Sequence, residues 1–186
     1  KQISQDRCEE RSIHMLQALF NKKDQPVNEM PHLFHWANFL HVVNQSEIAA
    51  DGHPKKGDFL PPIPFPRRMW AGSRLEFIQP ILVGQELRRV SEISDIQFKH
   101  GKNGELYFVT VNHFIYANDE LVIKEQQDIV YKPETIITNN VSVTTTPVES
   151  PCRNYSFKQQ HSVDTTALFR YSALTFNGHK IHYDRP

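Results

Sequence analysis

The chain has 186 residues, which is room for one ordinary domain or one and part of another, but not for two of full size. Lysine plus arginine equals aspartate plus glutamate at 21 each, so no net field would draw in a polyanion, and the composition speaks against a nucleic-acid binder. Cys8 and Cys152 show no metal or redox spacing, and a chain of this length builds a core without a disulfide, which suits a reducing compartment. The mean hydropathy is −0.53 and no run approaches the roughly 18 apolar residues of a membrane span, so no membrane partner is expected. The opening residues KQISQDRCEERS are polar and carry both charge signs, unlike a secretory or import leader, and the chain reads as cytoplasmic.

From Glu9 to Phe20 the residues Ile13, Leu16, Leu19 and Phe20 recur at helical steps, which predicts a short amphipathic helix ended by the polar run Asn21 to Asp24. A second helix is predicted over HLFHWANFLHVV, where Leu33, Trp36, Leu40 and Val43 share a face; an irregular aromatic core segment is the alternative. His32, His35 and His41 within it read as core-edge residues rather than ligands. Residues 51–68, DGHPKKGDFLPPIPFPRR, hold five of the twelve prolines and two of the seven glycines, so neither a helix nor a central strand runs through them. They are expected to form an extended strap across a surface. A ligand for a proline-recognition domain is disfavoured, because the arginines miss the position such ligands use.

Strands are predicted near residues 73–79, 86–99, 105–117 and 120–131, rich in Val, Ile, Phe, Tyr and Thr and separated by the turn signals VGQ, HGKNGE and AND. Asn103-Gly104 marks a tight hairpin, since both tolerate the positive φ of a type I′ turn. In LYFVTVNHFIY both faces carry apolar groups, so this strand is expected centrally in an antiparallel sheet, with a helix over one face and another subunit or domain over the other. His113 reads as a packed cross-strand polar group. Residues 133–151 hold only two charges among seven Ser or Thr and two Asn without periodicity, the natural place for a boundary. Beyond it a short strand YSFKQQHSV leads to Asp164, whose carboxylate suits the cap of a helix carrying Ala167, Leu168, Tyr171 and Leu174 on one stripe. The expected division is residues 1–132 as a first unit, 133–151 as a linker and 152–186 as the start of a second.

No glycine-rich phosphate loop, GxSxG elbow or HExxH is present. The strongest polar cluster is Asn177, His179, His182 and Asp184, directly after the second amphipathic helix, where a loop can aim several side chains at one point. A metal site would need His179, His182 and Asp184 to converge. In an extended segment His182 and Asp184 share a face while His179 points the other way, so no metal is expected.

The strings RYSALTFNGHKIHYDRP, WAGSRLEF and EQQDIVYKP, together with the proline strap, resemble the hydroxyacyl-thioester dehydratase type 2 and mesaconyl-C4-CoA hydratase group of MaoC-like proteins, from about Gln5 to the last residue. The resemblance implies an α+β hot-dog fold, a helix wrapped by an antiparallel sheet, repeated twice in one polypeptide. The chain would hold the first, non-catalytic repeat and the start of the catalytic one. It also implies reversible hydration of a 2-enoyl thioester of coenzyme A or an acyl carrier, with the thioester as substrate, no cofactor, and assembly into a homo-oligomer. The wider MaoC-type signature is Asp, one residue, Asn, two residues, His. Counting back from His182 places Asn177 at the Asp position and His179 at the Asn position. His182 would then be the general base, because imidazole titrates near neutral pH. Asn177 cannot accept a proton and would orient water, with His179 as second polar partner. The oxyanion N–H is expected from a helix that follows the histidine motif, beyond Pro186. Arg67, Arg68, Lys55 and Lys56 are a solvated basic group or a clamp for coenzyme A phosphates, and Tyr171 is a further substrate-binding candidate. Two rival readings are a non-catalytic half that packs on a catalytic chain, and a thioester hydrolase that directs water at the carbonyl carbon.

Overall fold

The computed structural model describes residues 1–22, 26–55, 57, 59–101, 104–133, 156–157 and 162–183. In chain order the elements are β1 (Gln2–Arg7), α1 (Glu10–Leu19), β2 (Arg67–Phe77), β3 (Glu86–Gly101), β4 (Gly104–Ala117), β5 (Glu120–Lys132) and α2 (Thr165–Leu174), with 3-10 turns at Phe34–Ala37, Gln45–Glu47 and Lys180–His182. The strands form one antiparallel sheet in the order β1-β3-β4-β5-β2. β4, with the strongest two-faced apolar pattern, sits at its centre.

Alternation along β4 decides which face is covered. Val109, Val111, Ile115 and Ala117 are at most 1% exposed, whereas Leu106, Phe108, Phe114 and Tyr116 on the opposite face stay half-buried. Two apolar clusters occupy the covered face. One joins Ile13 of α1 to Cys8, Met30, Phe39, Ile81, Leu87, Ile115 and Val122. The other joins Ile63 of the proline strap to Val109, Val111, Ile129 and Tyr131, with Phe59, Leu60 and Phe65 packed against it. The helix therefore covers one half of the sheet and the strap covers the other. Each fully buried aliphatic side chain contributes about 1.5–3 kcal/mol, and prolines hold the strap extended at low entropic cost. Cys8 lies inside the first cluster, where burial, reinforced by Glu9 and Asp6, pushes its thiol up to about 11.

Between the two clusters the same face carries a polar belt. His113 accepts from Ser91 Oγ at Nδ1 (2.7 Å) and faces Gln127 Oε1 with Nε2 (3.2 Å), which makes it the cross-strand polar group expected. Glu125 receives Ser73 Oγ (2.8 Å), Trp36 Nε1 (3.3 Å) and His35 Nε2 (3.3 Å). Burial pushes the Glu125 carboxyl up, but the hydrogen bonds from His35 and Ser73 outweigh it and hold it below its ordinary value.

Several expectations are corrected. The predicted helix over residues 32–43 is a single 3-10 turn, Phe34–Ala37, flanked by Leu33 (φ 72°) and Phe39 (φ 56°). Asp6 of β1 explains the break: its Oδ2 accepts the Phe39 N–H (2.6 Å) and Asn38 Nδ2 (3.1 Å), partners that a continuous helix could not offer. β1 itself was not legible, being polar and held only by its ladder to β3. β2 begins at Arg67, so both arginines belong to a strand rather than to the strap. In the β3–β4 hairpin Gly101 pairs with Gly104 (φ 98°), so Gly104 already belongs to the ladder, while Asn103 lies outside the described residues. The β4–β5 turn is Asn118-Asp119 with φ of 47° and 68°, the type I′ geometry that matches strand twist. Residues 134–151 of the expected 133–151 boundary lie outside the described residues, and of the short strand expected near Tyr155–Val163 the described part is not in a strand.

Candidate functional site

Asp164 begins the construction of the site by accepting the Ala167 N–H on Oδ1 (2.7 Å) and so capping α2. The predicted stripe Ala167, Leu168, Tyr171 and Leu174 is the half-buried face of this helix, which packs on α1. α2 ends in a Schellman arrangement: the Asn177 N–H donates to the Ser172 carbonyl (2.8 Å) and the Phe176 N–H to the Ala173 carbonyl (3.2 Å). Phe176 takes the left-handed position usually given to glycine (φ 50°). The reversal turns the chain sharply and presents Asn177 as the first side chain beyond the helix.

Asn177 then folds its own loop. Its Oδ1 accepts the His179 N–H (3.0 Å), an Asx turn that fixes the amide so that Nδ2 faces His182 Nε2 at 3.3 Å. An amide N–H can only be met by a lone pair, so Nε2 of His182 is the unprotonated nitrogen. The rings of His179 and His182 meet edge to face with centroids 6.0 Å apart. The three residues singled out in the sequence are thus neighbours, while Asp184 lies outside the described residues.

The other wall comes from the start of the strap. The Lys180 N–H donates to the Asp51 carbonyl (2.9 Å), and the Gly52 and Gly178 backbones press together so closely that a Cβ on Gly178 would lie 2.9 Å from the Gly52 carbonyl oxygen. His53 stacks on His179 with centroids 4.2 Å apart and planes 24° apart. Asp51 receives the His53 N–H on Oδ1 (3.0 Å) and lies against Nδ1 of the same ring with Oδ2 (3.1 Å). Burial raises the Asp51 carboxyl, but the His53 ring and N–H outweigh it and hold it below its usual value. Burial lowers the His179 imidazole, His53, His182 and Arg68 lower it further, and Asp51 opposes them. His179 is thereby kept neutral near pH 7.

Asp51 and His53 escaped the sequence reading because DGHP was absorbed into the strap; an Asp and a His flanking one glycine, just ahead of a proline, was the available signal. Asp51, His53 and His179 offer one donor atom each within 4.8 Å of one another. Asp51 is already hydrogen-bonded to His53, through the backbone N–H (3.0 Å) and Nδ1 (3.1 Å), so the contact present here is a carboxylate–imidazole pair.

The substrate-binding candidates divide. Arg68 pairs with Tyr131 across the β2–β5 ladder on the covered face, and its charge is felt at His179. Arg67 alternates to the exposed side, Lys55 donates to the Ser46 carbonyl (3.1 Å), and Lys56 lies outside the described residues. Tyr171 lines a separate apolar groove of about 600 Å³ between α1, the Phe34–Ala37 turn and α2, together with Leu16, Phe34, Trp36 and Leu168. The lining of that groove does not include Asn177, His179 or His182.

A helix and a proline strap laid across one antiparallel sheet, with a histidine–amide loop docked on the strap, define an α+β hot-dog protein. HtdX from Mycobacterium tuberculosis shares this fold with a TM-score of 0.56 at 10% identity, over 99% of this chain and 66% of that one. A MaoC-like dehydratase from Rhodospirillum rubrum aligns over 72% of this chain and 90% of its own, with a TM-score of 0.43 and 14% identity. The chain belongs to the hydroxyacyl-thioester dehydratase type 2 family, whose profile matches residues 32–186. Mesaconyl-C(4)-CoA hydratase from Chloroflexus aurantiacus is 42% identical over 189 residues, which cover 100% of this chain and 66% of that protein. The chain therefore spans just under two thirds of that relative's length. Among the described residues no helix is long and apolar enough to cross a membrane.

Proposed function

We propose that this chain carries a hydration site for 2-enoyl thioesters of coenzyme A, with His182 as general base, Asn177 as water orienter and His179 as neutral polar partner. The observation that carries the reading is the Asn177 Nδ2···His182 Nε2 approach at 3.3 Å, long for a hydrogen bond between nitrogens and set by the Asx turn. A water entering between them would replace this direct contact, accepting from the amide and donating to the imidazole lone pair that the amide meets here, the polarisation that addition to an enoyl β-carbon needs. As the C–O bond forms, the water proton passes to His182 and the electron pair moves onto the thioester oxygen; the α-carbon then takes that proton back, so the net change is one added water. Loss of the carboxylate found at this position in the wider signature does not remove the base. It removes only a second proton acceptor.

Residues 1–132 would form the first hot-dog repeat and residues 152–186 begin the second, a division supported by the sheet of the described residues being built wholly from strands within residues 2–132. The identity to a mesaconyl-C(4)-CoA hydratase favours a short, branched, carboxylate-bearing acyl group. Arg68, whose charge reaches the histidine loop, is the cation proposed to meet a coenzyme A phosphate, while Arg67 points to the other face of β2. The test is the loss of enoyl absorbance from a short branched enoyl-CoA, with free thiol measured alongside. His182→Ala is expected to lower turnover by about a hundredfold or more, the scale of a lost general base. Thiol release without loss of the double bond would replace hydration by hydrolysis.

A further inference from the structure

Asn177 puts an amide where the wider signature has a carboxylate, yet the strap delivers an ionised group from a distant part of the sequence. Asp51 is held at both oxygens, by the His53 N–H (3.0 Å) and the His53 ring (3.1 Å). A carboxylate at 3.1 Å from Nδ1 cannot face a lone pair, so His53 carries its proton on Nδ1 toward Asp51. The ring so fixed lies flat on His179 at 4.2 Å, and His179 in turn meets His182. Backbone contacts of Gly52 with Gly178 and of Lys180 with Asp51 clamp the strap to the loop, which keeps this stack in register.

We infer that Asp51 and His53 are positioning residues of the histidine site, supplying through the stacked His53 ring the carboxylate–imidazole pair that Asn177 leaves out. This rests on the hydration reading and deepens it. The pair touches no reacting atom. It holds the plane of His179 and supplies, among the described residues, the negative charge acting on that imidazole; the other groups acting there are His53 from the strap, His182 from its own loop and Arg68 from β2, which oppose protonation. In the hydration cycle His182 holds the water's proton between C–O formation and protonation of the α-carbon, and Asp51 acts on that interval through the His53–His179 stack, whose second ring meets His182 edge to face.

The test compares wild type with Asp51→Asn, Asp51→Glu and His53→Gln in the full chain. The Asp51→Asn exchange keeps the backbone carbonyl that receives the Lys180 N–H, so it changes charge without cutting the clamp. Enoyl-CoA hydration is followed from pH 5.5 to 9, and the His179 ring is titrated by NMR in the same proteins. Asp51→Asn is expected to lower kcat by at least about tenfold with KM within about twofold. The acid limb of kcat should move to lower pH, the His179 titration should move the same way, and Asp51→Glu should restore part of the rate. An unmoved His179 titration, or an unchanged kcat in an active enzyme, overturns the inference and leaves the pair as a mere staple. If wild type hydrates no enoyl thioester, the hydration reading fails, and the NMR titration alone decides whether Asp51 acts on the histidine group.

Discussion

Replacing Gly52 by alanine strikes the backbone clamp between strap and loop. Gly52 has φ of +89°, which costs a residue with a Cβ about 1–2 kcal/mol. The added Cβ would sit 2.9 Å from the Gly178 carbonyl carbon and closer still to its oxygen. Carbon atoms rest at about 3.5–4.0 Å, so the carbon contact alone requires the two backbones to part by at least about 0.6 Å, and the closer oxygen requires more. Accommodating such an insertion typically costs about 1–3 kcal/mol, and losing the Lys180-to-Asp51 hydrogen bond about 1 more. Gly52 is buried but Gly178, Lys180 and Ile181 of the loop are exposed, so the cheaper response is local: the loop lifts, and the His53–His179 stack opens from 4.2 Å to about 5 Å. A displacement near 1 Å costs about a hundredfold in rate when geometry is catalytic. Gly52→Ala is therefore expected to lower enoyl-CoA hydration about a hundredfold while the unfolding midpoint shifts little. Gly57→Ala, where a Cβ meets nothing within 4 Å, should leave both unchanged. Turnover within twofold of wild type in Gly52→Ala would refute the claim that the clamped strap positions the histidines.

Two further outcomes test the fold beneath the site. Glu125→Ala strands His35, Trp36 and Ser73 in a buried belt and should cost about 3 kcal/mol or more, read as a lowered denaturant midpoint, whereas Glu125→Gln keeps an acceptor oxygen and should cost less. His113 and His179 are both lowered from the ordinary 6.5, chiefly by burial, so the folded chain prefers them neutral. Their contribution to stability is complete above the unfolded value near 6.5 and is lost as pH falls through their folded values. Asp51, Glu125 and Asp128, also lowered, contribute fully above their ordinary values of 3.8 to 4.5 and lose that contribution only at more acid pH. Denaturation midpoints should accordingly begin to fall just below pH 6.5, at up to about 1.4 kcal/mol per pH unit for each histidine. His113→Gln should shrink that early loss; an identical pH profile would show that its buried neutral form is not the cause.

The sequence alone determined whatever rests on local rules. Period-two alternation marked β3, β4 and β5, the 3.6-residue stripe marked α1 and α2, Asp164 announced its cap, and the prolines announced the strap. The family strings pointed to Asn177, His179 and His182, and the Asx turn that gathers them is itself local. Tertiary structure decided the rest, because the deciding partners lie far away in the chain. Polar β1 is a strand only through its ladder to β3, and the aromatic stretch after Pro31 gives up its helix because Asp6 offers Phe39 and Asn38 better partners. Val109 and Phe108 are both apolar, yet strap and helix can cover only one face of β4, and packing chose the odd-numbered one. Asp51 and His53 look like loop residues until a backbone contact between two glycines lays them against His179. Periodicity reports how residues a few positions apart share a surface; it carries no term for a hydrogen bond or a ring stack that only chain closure over a long loop can form.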